Sequence, residues 1–78
     1  MSMASKFEPE KVFVAGIARD DERFLYYVDK RGDVVRMTRG VAKAPTVVLV
    51  KTGLKRERGY SYFVDADGDV AREPDRDS

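Results

Sequence analysis

The sequence predicts an all-β fold of six strands, arranged as two repeated three-stranded meanders. A segment of fourteen residues at 24–37 recurs at 60–73 with seven identical positions, which indicates an internal repeat. Short runs of β-branched and aromatic residues are separated by turns containing Gly and Asp, as in strands joined by hairpins. No long segment shows the 3.6-residue periodicity of a helix. We therefore expect two units packed as a small barrel or sandwich with pseudo-twofold symmetry.

The first repeat contains three expected strands. Within residues 11–39 they are the apolar run 12–18, the aromatic run 24–28 and the run 34–38. The loop Asp29-Lys-Arg-Gly-Asp33 predicts a three-residue hairpin connection with Gly32 in the left-handed conformation. This turn places Asp29 opposite Asp33, so Tyr26 is expected to lie opposite Arg36.

The second repeat has the same pattern as the first. Its loop Asp65-Ala-Asp-Gly-Asp69 predicts the same turn with Gly68, and it places Tyr62 opposite Arg72. The chain is expected to form a single β-domain at 10–73, between a flexible N-terminus at 1–9 and a flexible acidic tail at 74–78. Within this domain, a linker at 40–45 joins the first repeat to the second, which covers residues 46–73. The strands expected in the second repeat are 46–54, 60–64 and 70–72.

The two faces of the predicted hairpins differ in composition. One face carries a Tyr, two Val and an Arg in both repeats. The opposite face carries Leu25, Tyr27, Val35 and Met37 in the first repeat, and Ser61, Phe63, Ala71 and Glu73 in the second. Both faces of the first hairpin are therefore apolar enough to require a cover. The cover is either the other sheet of the same chain or, alternatively, a dimer partner.

The residue types that are missing exclude several kinds of site. The 78 residues include no Cys, His or Trp, which excludes disulfides, thiolate or imidazole metal sites and Ser-His-Asp or Cys-His nucleophiles. The remaining acid–base groups and the isolated glycines do not form a recognisable catalytic or phosphate-binding motif, so we expect no enzyme activity and no cofactor. The sequence has no apolar run of roughly 18 residues and no signal peptide, so we expect a cytoplasmic protein without a membrane partner.

Charge is separated along the chain, although its net value is only +1. Residues 36–58 contain seven basic residues and one acid, a net charge of +6, whereas residues 65–78 contain six acids and two arginines, a net charge of −4. The basic part indicates either an anion or nucleic-acid surface or solvated charges that keep a small β-protein soluble. The candidate residues are Arg39, Lys43, Lys51, Lys55, Arg56 and Arg58.

The second repeat carries a recognisable motif. It reads Gly53-Leu-Lys-Arg-Glu-Arg-Gly-Tyr-Ser-Tyr-Phe-Val-Asp-Ala-Asp-Gly-Asp-Val-Ala-Arg72. It resembles a pattern of small uncharacterised microbial proteins, in which a Lys/Arg/Glu stretch, an aromatic strand, an Asp-x-x-Gly-Asp turn and an Arg follow one another. The segment Arg36-Met-Thr-Arg-Gly40 is similar to the one after that turn. The resemblance covers most of residues 11–73 and implies no activity, and the first repeat departs from it at residues 20–21.

Two features of the repeats are candidate binding sites. The pairs Tyr26/Arg36 and Tyr62/Arg72 form either two equivalent recognition points for a ligand with an anion or cross-strand packing pairs of the sheet. The three carboxylates of the loop at 65–69 form either a cation site or a turn whose Asp side chains accept backbone hydrogen bonds. The turn is the better interpretation, because the first repeat keeps the turn with Arg31 in place of Asp67.

These observations lead to a functional hypothesis. We expect a non-catalytic β-domain that acts as a binding or protein-interaction module, with an unknown protein partner or with a second copy of itself. The alternative is a small β-barrel that binds nucleic acid through residues 36–58.

Overall fold

The computed structural model describes residues 9–75, and all of its regular secondary structure is β. The strands are β1 (Glu10–Phe13), β2 (Phe24–Val28), β3 (Val34–Thr38), β4 (Val47–Val50), β5 (Tyr60–Val64) and β6 (Val70–Pro74). No helix occurs in residues 9–75. The prediction of an all-β fold with six strands is confirmed, and the bounds predicted for β2, β3 and β5 match those observed.

Three strands have other bounds than the sequence predicts. β1 and β4 end at Phe13 and Val50 instead of continuing to residues 18 and 54, because the residues that follow leave the ladder and pack against hairpin loops. β6 continues to Pro74, and the N–H of Asp75 donates to the carbonyl of Gly59 at 2.9 Å. The segment predicted as a tail therefore begins inside β6, since Pro74 belongs to that strand and Asp75 is hydrogen-bonded to Gly59. The rest of that tail, and the predicted flexible N-terminus except Pro9, lie outside the described residues.

The two hairpins have the predicted turn and register. Tyr26 lies opposite Arg36 and Tyr62 opposite Arg72. Gly32 and Gly68 have φ values of 89° and 82°, in the left-handed region that glycine adopts without steric penalty. The first aspartate of each loop accepts two backbone N–H bonds through Oδ1, at 2.9–3.0 Å, and thereby closes its own turn.

The strands form two three-stranded antiparallel sheets, in the orders β1-β6-β5 and β2-β3-β4. The prediction that each repeat forms its own meander is therefore wrong. The first strand of each repeat instead pairs with the hairpin of the other repeat, β1 with β6 and β4 with β3. The two sheets remain separate and do not close into a barrel, while β2 lies beside β5.

Each first strand pairs with the hairpin of the other repeat because of the segment that follows that strand. After β1, the N–H of Ile17 donates to the carbonyl of Gly68 at 3.0 Å. After β4, the hydroxyl of Thr52 donates to the carbonyl of Gly32 at 2.7 Å. Both segments therefore cross the hairpin loop of the other repeat, and each preceding strand is carried into that repeat's sheet.

The core lies where the two hairpins and these crossing segments meet. Val34 and Val70 are completely buried, and Val28 and Val64 are nearly so. Tyr62 joins this cluster, and apolar side chains from the crossing segments pack against it. Because β-branched valines dominate both strand and core positions, the same residues satisfy strand preference and burial together.

The closest packing of the fold is at the two loop glycines. A Cβ atom at Gly68 would overlap the carbonyl oxygen of Ile17, and one at Gly32 would overlap the carbonyl oxygen of Leu54. Both obstacles are backbone atoms, which no rotamer change can move away. Glycine is therefore required at these positions by the close approach as well as by φ.

We predict that Gly68→Ala destabilises the protein far more than Gly53→Ala. Gly53 has a φ of 71°, and no atom of the described residues lies within 4 Å of a Cβ built there. Its substitution should therefore lower the free energy of unfolding by about 1–2 kcal/mol through backbone strain alone. Gly68→Ala should add about 1–3 kcal/mol from overpacking. Urea unfolding of both variants measures the difference, and equal losses would contradict the close approach.

Candidate functional site

Both tyrosines of the predicted recognition pairs have internal hydrogen bonds. Tyr62 is only 8% exposed, and its hydroxyl oxygen accepts from the N–H of Glu57 at 2.8 Å. The hydroxyl oxygen of Tyr26 accepts from the N–H of Asp20 at 2.9 Å. Each hydroxyl thus holds the backbone of the loop that leads into its own hairpin. The burial of Tyr62 also leaves little of its ring for a ligand to stack on.

An arginine lies over each tyrosine and links the two repeats. Arg19 is 5.2 Å from the Tyr26 ring centre, and its Nη1 donates to the carbonyls of Val64 and Asp65 at 2.7 and 2.9 Å. Arg56 is 5.1 Å from the Tyr62 ring centre, and its Nη1 donates to the carbonyls of Val28 and Asp29 at 3.4 and 3.2 Å. Arg19 is not among the site residues predicted from sequence. The alignment of residues 16–20 with 53–57 contains the signal, because it pairs Arg19 with Arg56.

Arg72 is surrounded by partners from its own chain. Its Nε donates to Glu10 Oε1 at 2.8 Å, its Nη1 donates to Glu57, and it lies 4.0 Å from the ring centre of Tyr60. The hydroxyl of Tyr62 and the two carboxylates raise the pKa of Arg72 above its ordinary high value. A ligand anion at this position would have to displace two carboxylates.

Arg36, the counterpart of Arg72, has no carboxylate partner within residues 9–75. It lies opposite Val47, at the place where Arg72 has Glu10. Its guanidinium stacks on Phe24 at 4.2 Å, and its buried Nε has no hydrogen-bond partner in the described part of the chain. Within residues 9–75, no carboxylate lies within 4.0 Å of its guanidinium. The two predicted recognition points are therefore not equivalent, and only Arg36 is available to an added anion.

The three carboxylates of the second loop surround a lysine. The Nζ of Lys11 is 2.8 Å from Asp69, 3.0 Å from Asp67 and 3.7 Å from Asp65. The hydrogen bond from Lys11, followed by that from the N–H of Gly16, lowers the pKa of Asp69 below its ordinary value of 3.8. The same carboxylates raise the pKa of Lys11. The ammonium group therefore supplies the positive charge that this cluster attracts.

The outer side of the sheet β2-β3-β4 is apolar. The register places five side chains together on it, which we call the outer apolar face: Leu25, Tyr27, Val35, Met37 and Val48. Val35 is buried at its centre, whereas Leu25, Tyr27 and Val48 are exposed. On the other sheet the positions of Leu25, Met37 and Val48 carry Ser61, Glu73 and Lys11.

The six predicted basic residues do not line a single depression of the surface. Arg56 and Arg58 line an open depression of about 390 Å³ together with Lys30, Tyr60 and three further residues. Arg39 donates through Nε to the carbonyl of Asp21. Lys43, Lys51 and Lys55 are exposed, and within residues 9–75 none of them has a carboxylate within 4.0 Å.

We predict that Lys11→Met changes how stability depends on acid pH. The folded pKa of Asp69 is below 3.8, so the unfolded chain binds more protons and wild type loses stability as the pH falls from about 4 through that folded pKa. In Lys11→Met the three carboxylates repel one another, and protonation relieves this repulsion. The variant should lose less stability than wild type over the same range, or gain some.

Urea midpoints between pH 6 and pH 2 measure this effect. Lys55→Met removes an exposed lysine that has no carboxylate partner among residues 9–75, and this variant is the control that should follow wild type. Parallel curves for wild type and Lys11→Met would show that Lys11 does not hold the cluster.

We predict that Val47→Glu gives Arg36 the ion pair that Glu10 gives Arg72. Val47→Glu should be more stable than Val47→Gln by about 0.5–1 kcal/mol, the range of a partly exposed pair. Thermal or urea unfolding measures the difference. Repeating both substitutions with Arg36→Met completes a double-mutant cycle. If the advantage of Glu persists without Arg36, the assignment of the pair is wrong.

Comparison with known proteins adds no family to this description. No protein-family model, no curated protein and no solved structure matches the chain. The resemblance of residues 53–72 to small microbial proteins stays a prediction. No helix in the described part of the chain has the length and hydropathy needed to cross a membrane.

Proposed function

We propose that the protein is a non-catalytic interaction module that binds a protein partner through the outer apolar face. The observation that carries the proposal is the exposure of Leu25, Tyr27 and Val48 around the buried Val35 on one sheet surface. Clustered exposed apolar residues mark contact surfaces of proteins more often than isolated ones do. Tyrosine in such a cluster is among the residues that contribute most to binding energy.

The other sheet supports this proposal as an internal comparison. Its strands and turns are built in the same way, but Ser61, Glu73 and Lys11 stand where the first sheet has Leu25, Met37 and Val48. The backbone arrangement therefore does not require apolar side chains at these positions. Their presence on one sheet only is better explained by a partner than by folding.

We also propose that the two repeats form an open sandwich with a pseudo-twofold axis between β2 and β5. Contacts that occur in pairs support this arrangement, for example Arg19 on Tyr26 and Arg56 on Tyr62. A further pair is the hydrogen bonds from Gly16 to Asp69 and from Thr52 to Asp33. The proposed axis relates the outer apolar face to a surface on which Ser61, Glu73 and Lys11 accompany Phe63 and Ala71. The two surfaces therefore differ in polarity at three of their five positions.

We predict that Leu25→Ser/Tyr27→Ser weakens partner binding at least tenfold. The two substitutions remove the exposed anchors of the face and leave its buried centre intact. A tagged protein would first capture its partner from the native host, and the affinity would then be measured with both components purified. Val14→Ser is the control, because Val14 is 75% exposed and lies outside the face. Equal affinities of the double variant and wild type would contradict the proposal. If the partner is a second copy of the chain, wild type should sediment as a dimer and the double variant should not.

Nucleic-acid binding is the second candidate function, and the depression beside β5 favours it. Lys30, Arg56 and Arg58 line this depression together with Tyr60, and Glu57 and Asp75 line it as well. Cations with an aromatic ring are the usual components of a single-strand site. Arg56 is already engaged by backbone carbonyls. Lys30 and Arg58 therefore provide the cations for phosphate.

We predict, for this second candidate, that Lys30→Ala/Arg58→Ala reduces the salt dependence of binding to an oligo-dT strand. Loss of two phosphate contacts should lower the slope of log K against log salt by about 1.4, at about 0.7 per contact. Fluorescence anisotropy between 20 and 200 mM salt would measure it. The control Lys43→Ala/Lys51→Ala removes the same charge away from the depression, and an equal change of slope in this control would count against the site.

A further inference from the structure

The four edge strands of the two sheets are protected to different degrees. β2 and β5 lie beside each other. β1 carries Glu10 and Lys11, which are bound to Arg72 and to the acidic loop. β4 consists of Val-Val-Leu-Val and carries no charge or proline. Edge strands that lack such residues present their free backbone groups to any added strand.

The outward backbone of β4 is available in this structure. Within residues 9–75, its only hydrogen-bonded neighbour is β3, and no loop covers its other side with a hydrogen bond. Val47 and Val48 are each 46% exposed. β4 therefore combines unpaired ladder groups with accessible aliphatic side chains, and these are the two features that β-strand addition uses.

The surroundings of β4 are basic. Arg36 lies opposite Val47 on the neighbouring strand, Lys51 directly follows β4, and Lys43 precedes it. The sequence contains no Asp or Glu between residues 34 and 56. None of these three cations has a carboxylate within 4.0 Å in the described part of the chain. An added strand would thus meet uncompensated positive charge along an apolar edge.

We propose that the β4 edge binds an extended acidic segment of another protein, which adds to the sheet as a seventh strand. This inference rests on the proposed function, since the added strand would extend the outer apolar face. Charge complementarity selects the occupant. Two copies of β4 would place like charges together, and a phosphate backbone would leave the ladder groups and valines unused.

Strand geometry also specifies the pattern of the segment. Side chains of an added strand alternate between the two faces of the sheet. Those on the face of Val48 continue the outer apolar face and should be aliphatic. Those on the face of Val47 lie on the same side as Arg36 and should be acidic. The expected ligand is a segment of alternating acidic and aliphatic residues.

A labelled octapeptide of alternating Glu and Val tests this proposal directly. We expect it to bind wild type at least tenfold more tightly than a peptide of alternating Lys and Val, and than a peptide with the same Glu and Val residues in two blocks. Val48→Glu, which places an acid on the edge beside the acidic peptide, should weaken binding at least tenfold. Val14→Glu is the matched control and should bind like wild type. Circular dichroism and melting temperatures verify that both variants fold.

Backbone methylation of the peptide tests the hydrogen-bonded ladder. Two further Glu/Val peptides carry N-methyl groups at odd or at even residues, and so block opposite edges of the added strand. One of them should lose binding at least tenfold, and the other should retain it. Retention by both would overturn the strand proposal, as would equal binding of the Lys/Val peptide.

Other occupants give distinct results. Sedimentation of wild type as a dimer that Val48→Glu dissociates would overturn the proposal and assign the edge to a second copy. Binding of oligo-dT that Val48→Glu abolishes, without Glu/Val binding, would assign it to nucleic acid. Absence of peptide binding, together with loss of the native partner in Leu25→Ser/Tyr27→Ser, overturns the strand proposal alone. Peptide binding with unchanged affinity of that variant for its partner overturns the proposed face alone.

Discussion

The structure depends on the contact of two hairpin loops with the chain segments that cross them. Gly68 and Gly32 have no Cβ, so the carbonyls of Ile17 and Leu54 approach their backbone directly. The bond from Ile17 to the Gly68 carbonyl, and that from Thr52 to the Gly32 carbonyl, hold each crossing segment on the opposite loop. Because of this contact, each first strand joins the other repeat's sheet, and neither repeat forms a sheet alone.

The two exchanged strands then determine how the two sheets differ. β1 provides Glu10 and Lys11, which satisfy Arg72 and the acidic loop of the sheet it joins. β4 provides Val47 and Val48 at the matching register positions. In one sheet, Arg72 and the acidic loop are therefore paired with charges of the same chain. In the other sheet, Arg36 has no carboxylate partner among residues 9–75, and the edge strand and the outer face are apolar. The functional proposals follow from this asymmetry between similar scaffolds.

Part of the candidate site could be predicted from sequence, and part of it could not. The cross-strand pair of Tyr62 and Arg72 follows from loop length, because a short hairpin loop determines the register of its strands. The partners of Arg72 do not follow, since Glu10 is far away in the chain and reaches it only through the strand exchange. The same is true of Lys11 in the acidic loop. Arg72 and Arg36 occupy equivalent positions in the two repeats. The long-range partners of Arg72 are what makes its surroundings different from those of Arg36.

Local chemistry was enough for the strand content, the two turns and the alternation of faces, because each depends on residues within a few positions of one another. Local chemistry does not predict that β1 pairs with β6 and β4 with β3. Both repeats offer a strand of suitable composition to either hairpin, and strand propensity does not distinguish the two choices. The choice is made by the crossing segments, whose backbone packs on a glycine of the opposite loop. That contact joins residues far apart in the chain, so it exists only once both repeats have come together.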